Sequence, residues 1–188
     1  MQGLSALGRL PYLEAGQSDD PDRIADLFAQ IARLGRPVAN LYRILANKPA
    51  ALSAFLGMSR YVRDESGLSP RLRELAILAT AHAIEQPYEI AHHRPIAIEL
   101  GIRAEMVDAL GDPVITLDDP LEQAVVDYAR EVAATRKVSD ATFECLRRLM
   151  NTSTIVDLVV IVAWYHLCAA ILGPLQVGIE PELQRPNR

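Results

Sequence analysis

The sequence predicts an all-α fold, and three observations carry that expectation. Helix-starting devices recur along the chain, the apolar residues between them fall at helical spacing, and no Asn-Gly or Asp-Gly turn sits between alternating apolar runs. Asp20-Pro21 offers an N-cap followed by proline at the first helical position. Leu27, Ile31 and Leu34 then follow until Gly35, which predicts a helix over 21–34. A second helix is expected over 48–64. Ser69-Pro70 repeats the device ahead of Leu72, Leu75, Ala76 and Ala79, opening a helix over 70–85, and further helices are expected over 87–100 and 104–110. Asp119-Pro120, with Glu122 three residues after the cap, reads as a capping box that starts a helix over 120–136. Ser139 and Thr152 cap the last two helices, over 139–150 and 153–172, and Gly173-Pro174 is expected to end the final one. The outcome is about eight helices in a single domain over 21–175. An N-terminal extension (1–20) and a C-terminal tail (176–188) are expected to wrap the surface or fray.

Composition bounds the function. The chain has 188 residues, 50% of them apolar and 23% charged. At that size roughly 70% of the unfolded surface can be buried, so one core needs no disulfide or metal staple. Lys+Arg 19 against Asp+Glu 24 gives −5, with the basic residues scattered, which argues against a nucleic-acid partner. The chain has only Cys145 and Cys168, with no short spacing between them, and no basic region followed by an apolar core at the N-terminus; this reads as a reducing, cytoplasmic setting. Residues 155–172, IVDLVVIVAWYHLCAAIL, are long enough to raise the question of a membrane span. Asp157 and His166 within the run, and no basic flank, favour a buried core helix and no membrane.

The chemistry-bearing residues cluster in one helical pair, from Arg71 to Gly101. Glu74 shares a stripe with Ile77, Leu78 and Ala81, so its carboxylate faces the interior and needs a partner; Arg71, three residues before it, is the local candidate for a structural ion pair. On the next helix Glu89 and His93 are four apart, as are Tyr88 and His92, so each pair shares a face. A carboxylate beside an imidazole suits proton transfer, because it orients the ring and stabilises its cation, although the same spacing also occurs as an ordinary solvated pair. Pro95 leaves the carbonyl of Ala91 without its helical donor and bends the turn that bears both histidines. Adjacent His92 and His93 point about 100° apart around a helix and do not converge on one ion, and neither an HExxH nor a paired-Cys motif is present, so no metal is expected. A phosphate-binding loop is absent, and the two cysteines read as inert core thiols.

At this helical pair the chain resembles the carboxymuconolactone decarboxylase family, which shares its fold with the alkylhydroperoxidase D-like proteins. Glu74 and His93 have the family's nineteen-residue separation, and PVANLYRILANKPA (37–50), LSPRLRELAIL (68–78), YEIAHHRPIA (88–97), a variable acidic stretch ending in DDPLEQ and VSDATFECLRR (138–148) follow its layout over roughly residues 10–180. The peroxidase branch carries a Cys-x-x-Cys pair where this chain has Gln86 and Glu89, so Glu89-x-x-x-His93 looks like the decarboxylase branch. The resemblance implies an alkylhydroperoxidase D-like helical bundle that assembles as a trimer or hexamer, works without a cofactor and uses Glu74, Glu89 and His93 in catalysis. Tyr88 and His92 would adjoin the site, and Arg71 and Arg94, with Arg43 as a further candidate, would meet substrate carboxylates. An Asn common near the end of the last helix in long-form relatives is replaced here by Gly173-Pro174.

The expected function is a lyase or isomerase acting by acid–base chemistry on a small carboxylated lactone or related enolisable acid. Two alternatives belong to other classes. A thiol peroxidase needs a low-pKa thiolate and a resolving thiol, which the motif positions lack. A non-catalytic ligand-binding helical oligomer would show Glu74 and His93 closed into a dry ion-pair network.

Overall fold

Helix starts follow the side chains that satisfy orphan backbone N–H groups. In a computed structural model describing residues 8–184, Asp20 accepts from the Arg23 N–H ahead of α1 (Pro21–Arg33), and Ser69 accepts from the Leu72 N–H ahead of α4 (Pro70–Ala83). The other helices are α2 (Asn40–Leu45), α3 (Pro49–Arg60), α5 (Pro87–Glu99), α6 (Ala104–Ala109), α7 (Pro120–Thr135), α8 (Asp140–Leu149) and α9 (Thr152–Leu175). A short 3-10 turn, Ala15–Gln17, precedes α1, and a π turn, Tyr61–Glu65, follows α3. Among the described residues all regular structure is helical, as expected, and the eight expected helices are joined by one more, α2.

The chain divides into two compact units, Met1–Arg63 with Ile171–Arg188, and Asp64–Ala170. In the first, α1 buries Ile24, Leu27 and Ile31 and packs on α3, while Tyr42 of α2 meets Phe55 of α3 edge-on at 6.1 Å. The tail is pinned to the same unit. Glu180, 8% exposed, accepts from the Asn40 N–H at 2.6 Å and so caps α2, while the Tyr12 hydroxyl accepts from the N–H groups of Gly8 and Gly178.

In the second unit α4 is the central element, packed on α5 and α7, with Glu74 through Ala81 all buried. Glu85 (φ 53) closes α4 in the left-handed region: its N–H donates to the His82 carbonyl and that of Gln86 to Ala81, the paired bonds of a Schellman end. The chain can then reverse within three residues into α5, where the Gln86 side chain accepts from the Tyr88 N–H at 3.3 Å.

Four local expectations are corrected. Glu122 does not close a capping box: Asp119 alone caps α7, and Glu122 turns to Arg71 at 2.5 and 3.2 Å, because a strong bidentate partner lies across the helix interface. Asn151, not Thr152, caps α9, accepting from the Thr154 N–H at 2.9 Å. Pro174 does not stop α9 at 172, since near a helix end it removes only one donor. Gln176 (φ 49) ends the helix instead, with the Gln176 and Val177 N–H groups closing on Gly173 and Leu172. Arg71 does not pair with Glu74, as the site below shows.

By length and composition α9 could cross a membrane, but half of its most apolar stretch is buried within the fold. Asp157 is 6% exposed and accepts from the Gly67 N–H at 2.9 Å, so its carboxylate is held by a protein donor, as in a core helix.

Candidate functional site

The reversal between α4 and α5 sets two facing helices so that Glu74 and His93 meet. Glu74 Oε2 lies 2.6 Å from His93 Nδ1, and both side chains are buried. An ionised Glu74 fixes the proton on Nδ1, which leaves Nε2 as the ring atom that gives or takes a proton. Two groups face Nε2. The Tyr165 hydroxyl of α9 is 3.0 Å away, and Glu89 Oε2, one turn before His93 on α5, is 3.6 Å away. The Tyr165 ring stands nearly perpendicular to the imidazole (88°) at 5.1 Å between centroids, which holds the hydroxyl against the ring edge. Behind Glu74, Arg73 Nε sits 3.5 Å from Oε1. Buried together, Glu74, Glu89, His93 and Tyr165 form a carboxylate–imidazole–phenol chain flanked by a second carboxylate. In low dielectric each charge in it acts on its neighbours more strongly than in water.

Tyr88 and His92 stack at 4.4 Å, as their spacing requires. Arg71 is bidentate to Glu122 and also donates to the Gly101 carbonyl, and Arg94 is bidentate to Asp108 at 3.0 and 3.1 Å, so each guanidinium holds a carboxylate of this chain. Arg43, in the first unit, pairs with Glu14 and donates to the Val38 carbonyl. Pro95 lies inside a continuous α5. Sequence reasoning passed over Tyr165 and Arg73. For Tyr165 a signal existed: a phenol in the middle of an apolar helix needs a partner for its hydroxyl, and a buried histidine is a common one.

Among the described residues, no group of three or more His, Cys, Asp or Glu side chains is arranged to hold a metal ion. Glu74 and Glu89 address opposite nitrogens of one imidazole and do not converge on a common point. Cys145 and Cys168 are free thiols, on α8 and α9. The positions where a Cys-x-x-Cys pair would stand hold the cap of α5 (Gln86) and a member of the relay (Glu89).

Residues 49–131 match the carboxymuconolactone decarboxylase family. The fold is shared with a peroxidase-related protein with an alkylhydroperoxidase AhpD core from Ralstonia eutropha JMP134, at 23% identity and TM-score 0.79 over 94% of each chain. It is shared with a peroxidase-related protein from Silicibacter sp. TM1040, at 20% identity and TM-score 0.80 over 99% of this chain and 100% of that one. The debrominase Bmp8 in complex with 2,3,4-tribromopyrrole aligns at 16% identity and TM-score 0.77 over 98% and 95%. At these identities the likeness establishes the fold. No curated protein matches the chain.

Proposed function

Because residues 49–131 match the carboxymuconolactone decarboxylase family, we propose that the chain is a cofactor-free lyase or isomerase of small carboxylated lactones or related enolisable acids. The observation that carries this reading is the placement of His93, with Glu74 on Nδ1 and Tyr165 and Glu89 facing Nε2. Decarboxylation of a vinylogous keto acid breaks the C–CO2⁻ bond and leaves the electron pair in a dienolate, which must take a proton at carbon. His93 donates that proton from Nε2, Glu74 stabilises the imidazolium, and Tyr165 or Glu89 restores the proton between turnovers. Acid–base help of this type supplies about 10²–10⁴-fold. Tyr88 and His92 would adjoin the substrate. Arg71 and Arg94 would meet its carboxylates only by exchanging Glu122 and Asp108, whereas Arg73 already adjoins the relay.

A peroxidase reading lacks support at the motif, since neither Gln86 nor Glu89 can form a thiolate. The burial of Glu74, Glu89 and His93 favours a second reading, a closed structural network in a ligand-binding scaffold. An ultraviolet assay against carboxylated muconolactones and related enol acids, with a peroxide-consumption control, separates these readings. Turnover without peroxide consumption is expected. Peroxide consumption would point to thiol chemistry, and silence on every substrate would leave the scaffold reading.

The proposal extends to a homo-oligomer, a trimer or hexamer. Along α9, Val156, Val159 and Leu167 are 52%, 39% and 45% exposed on one helical stripe, an apolar face that a second copy would cover. Two free thiols accord with a reducing cytoplasm.

A further inference from the structure

The two oxygens of Glu74 meet two different side chains. Oε2 lies 2.6 Å from His93 Nδ1, and Oε1 lies 3.5 Å from Arg73 Nε. Glu74, His93 and Arg73 are 3%, 2% and 16% exposed, so guanidinium and carboxylate meet away from bulk water, where screening is weak. Helical spacing does not enforce the second contact. Neighbours in a helix point about 100° apart, and Arg73 has to turn along α4 to bring Nε to Glu74. Arg71, two residues earlier, points about 160° away from Arg73 and is bidentate to Glu122 of α7. The charge balance at the relay needs a cation: Glu74 and Glu89 are both buried beside one imidazole, and burial resists the ionisation of a carboxylate unless a positive group stands near. Among the described residues, the other buried ionisable groups on α7 and α9 are Glu122, Tyr128, Asp157, Tyr165 and Cys168. Glu122 holds Arg71, Asp157 accepts from the Gly67 N–H, and Tyr165 faces Nε2.

We propose that Arg73 is a positioning residue of the relay: it keeps Glu74 ionised, so that the ring of His93 holds its single proton on Nδ1 and leaves Nε2 to exchange the proton used in turnover. This deepens the proposed function and rests on its relay. Proton balance makes the effect readable at one atom. With Glu74 ionised and the ring neutral, Nε2 is bare. When the pair takes up one more proton, Nε2 carries it, whether the proton shared between Oε2 and Nδ1 then sits on nitrogen or on oxygen. Two buried carboxylates favour that uptake, and the Arg73 charge opposes it. Arg73 thereby draws the titration of Nε2 back towards neutral pH, where one group both gives and takes a proton most effectively.

Long-range nitrogen–proton correlation spectra of the full chain, isotope-labelled at its histidines and with His93 assigned from a His93→Gln variant, follow Nε2 from about pH 5 to about pH 9. The spectra read the relay whether or not the chain turns over any substrate, so a failure of the proposed activity leaves this test intact. A unit charge about 8 Å away, at an effective dielectric near 20, moves a titration by about one pH unit. Arg73→Gln should therefore protonate Nε2 at a pH higher by about one unit, and Arg73→Met repeats the measurement should the amide variant not fold. Arg73→Lys, which keeps the cation, should recover at least about half of the shift. In a Glu74→Gln background the shift caused by Arg73→Gln should fall below about half, because the carboxylate through which Arg73 acts has lost its charge. On a substrate that the wild type consumes, the pH limb of kcat/KM set by His93 should move with Nε2. An unmoved titration in folded protein lacking the Arg73 cation, or a full shift that persists in the Glu74→Gln background, would overturn the assignment.

Discussion

Replacing Glu74 by glutamine separates proton transfer from simple packing. The amide is nearly isosteric and its oxygen can still accept from His93 Nδ1, so what is removed is the charge. Both side chains are almost fully buried, 3% and 2% exposed, with Oε2 2.6 Å from Nδ1. With charge centres about 4 Å apart and an effective dielectric near 20, the carboxylate attracts an imidazolium by about 4 kcal/mol. At about 1.4 kcal/mol per factor of ten, that attraction corresponds to roughly a thousandfold, within the reach of acid–base catalysis. Glu74→Gln should therefore lower kcat by about 10²–10³. Because a hydrogen bond survives, the stability loss should stay below about 2 kcal/mol, a Tm decrease of at most about 8 °C for a chain of this size. Steady-state ultraviolet kinetics and scanning calorimetry on the same preparation measure both. A kcat within threefold of wild type, or activity lost only in proportion to unfolded protein, would refute the reasoning.

Other consequences follow from the same geometry. Burial, the leading cause, holds the His82 imidazole below its usual value against the opposing pull of Asp108, and burial with Arg136 does the same to His166. A base whose folded pKa is depressed leaves the unfolded state holding more protons, so stability is complete above the unfolded value of about 6.5 and is lost as pH falls from there towards the folded pKa. Denaturant titrations between pH 7 and pH 5 should show that loss, and the double variant His82→Gln, His166→Gln should flatten it. A second loss should begin near pH 4.5, as Asp108, held low by Arg94, and Glu14, held low by Arg43, take up protons; Arg94→Gln should reduce it. Asp157→Ala strands the Gly67 N–H beneath α9 and should cost about 1–3 kcal/mol, read as a Tm decrease of a few degrees. Leu167→Glu puts a charge on the exposed apolar stripe of α9 and should convert a trimer or hexamer to monomer by light scattering, with helicity unchanged.

What could be read from the sequence was local. Asp20, Ser69, Asp119 and Ser139 each accept the backbone N–H that their positions require, and the Glu74 stripe faces the interior as its spacing implies. The pairs Glu89 with His93 and Tyr88 with His92 lie one turn apart on α5 and so meet as expected. What escaped was long-range. The six-residue α2 has no side-chain cap of its own and takes one from Glu180, 140 residues away, so its local signal was weak. Tyr165 reaches His93 across 72 residues, and Arg71 finds Glu122 across 51, in preference to the neighbouring Glu74. Both contacts depend on how helices pack, and periodicity says which face is buried without saying what it meets.

The most direct test of the relay is turnover by wild type and His93→Ala, run side by side in D2O on the carboxylated lactone that the wild type consumes. The expected result is one deuterium on a carbon of the former dienolate, with turnover at least about a hundredfold lower in a folded variant. A His93→Ala protein that turns over at the wild-type rate would contradict it.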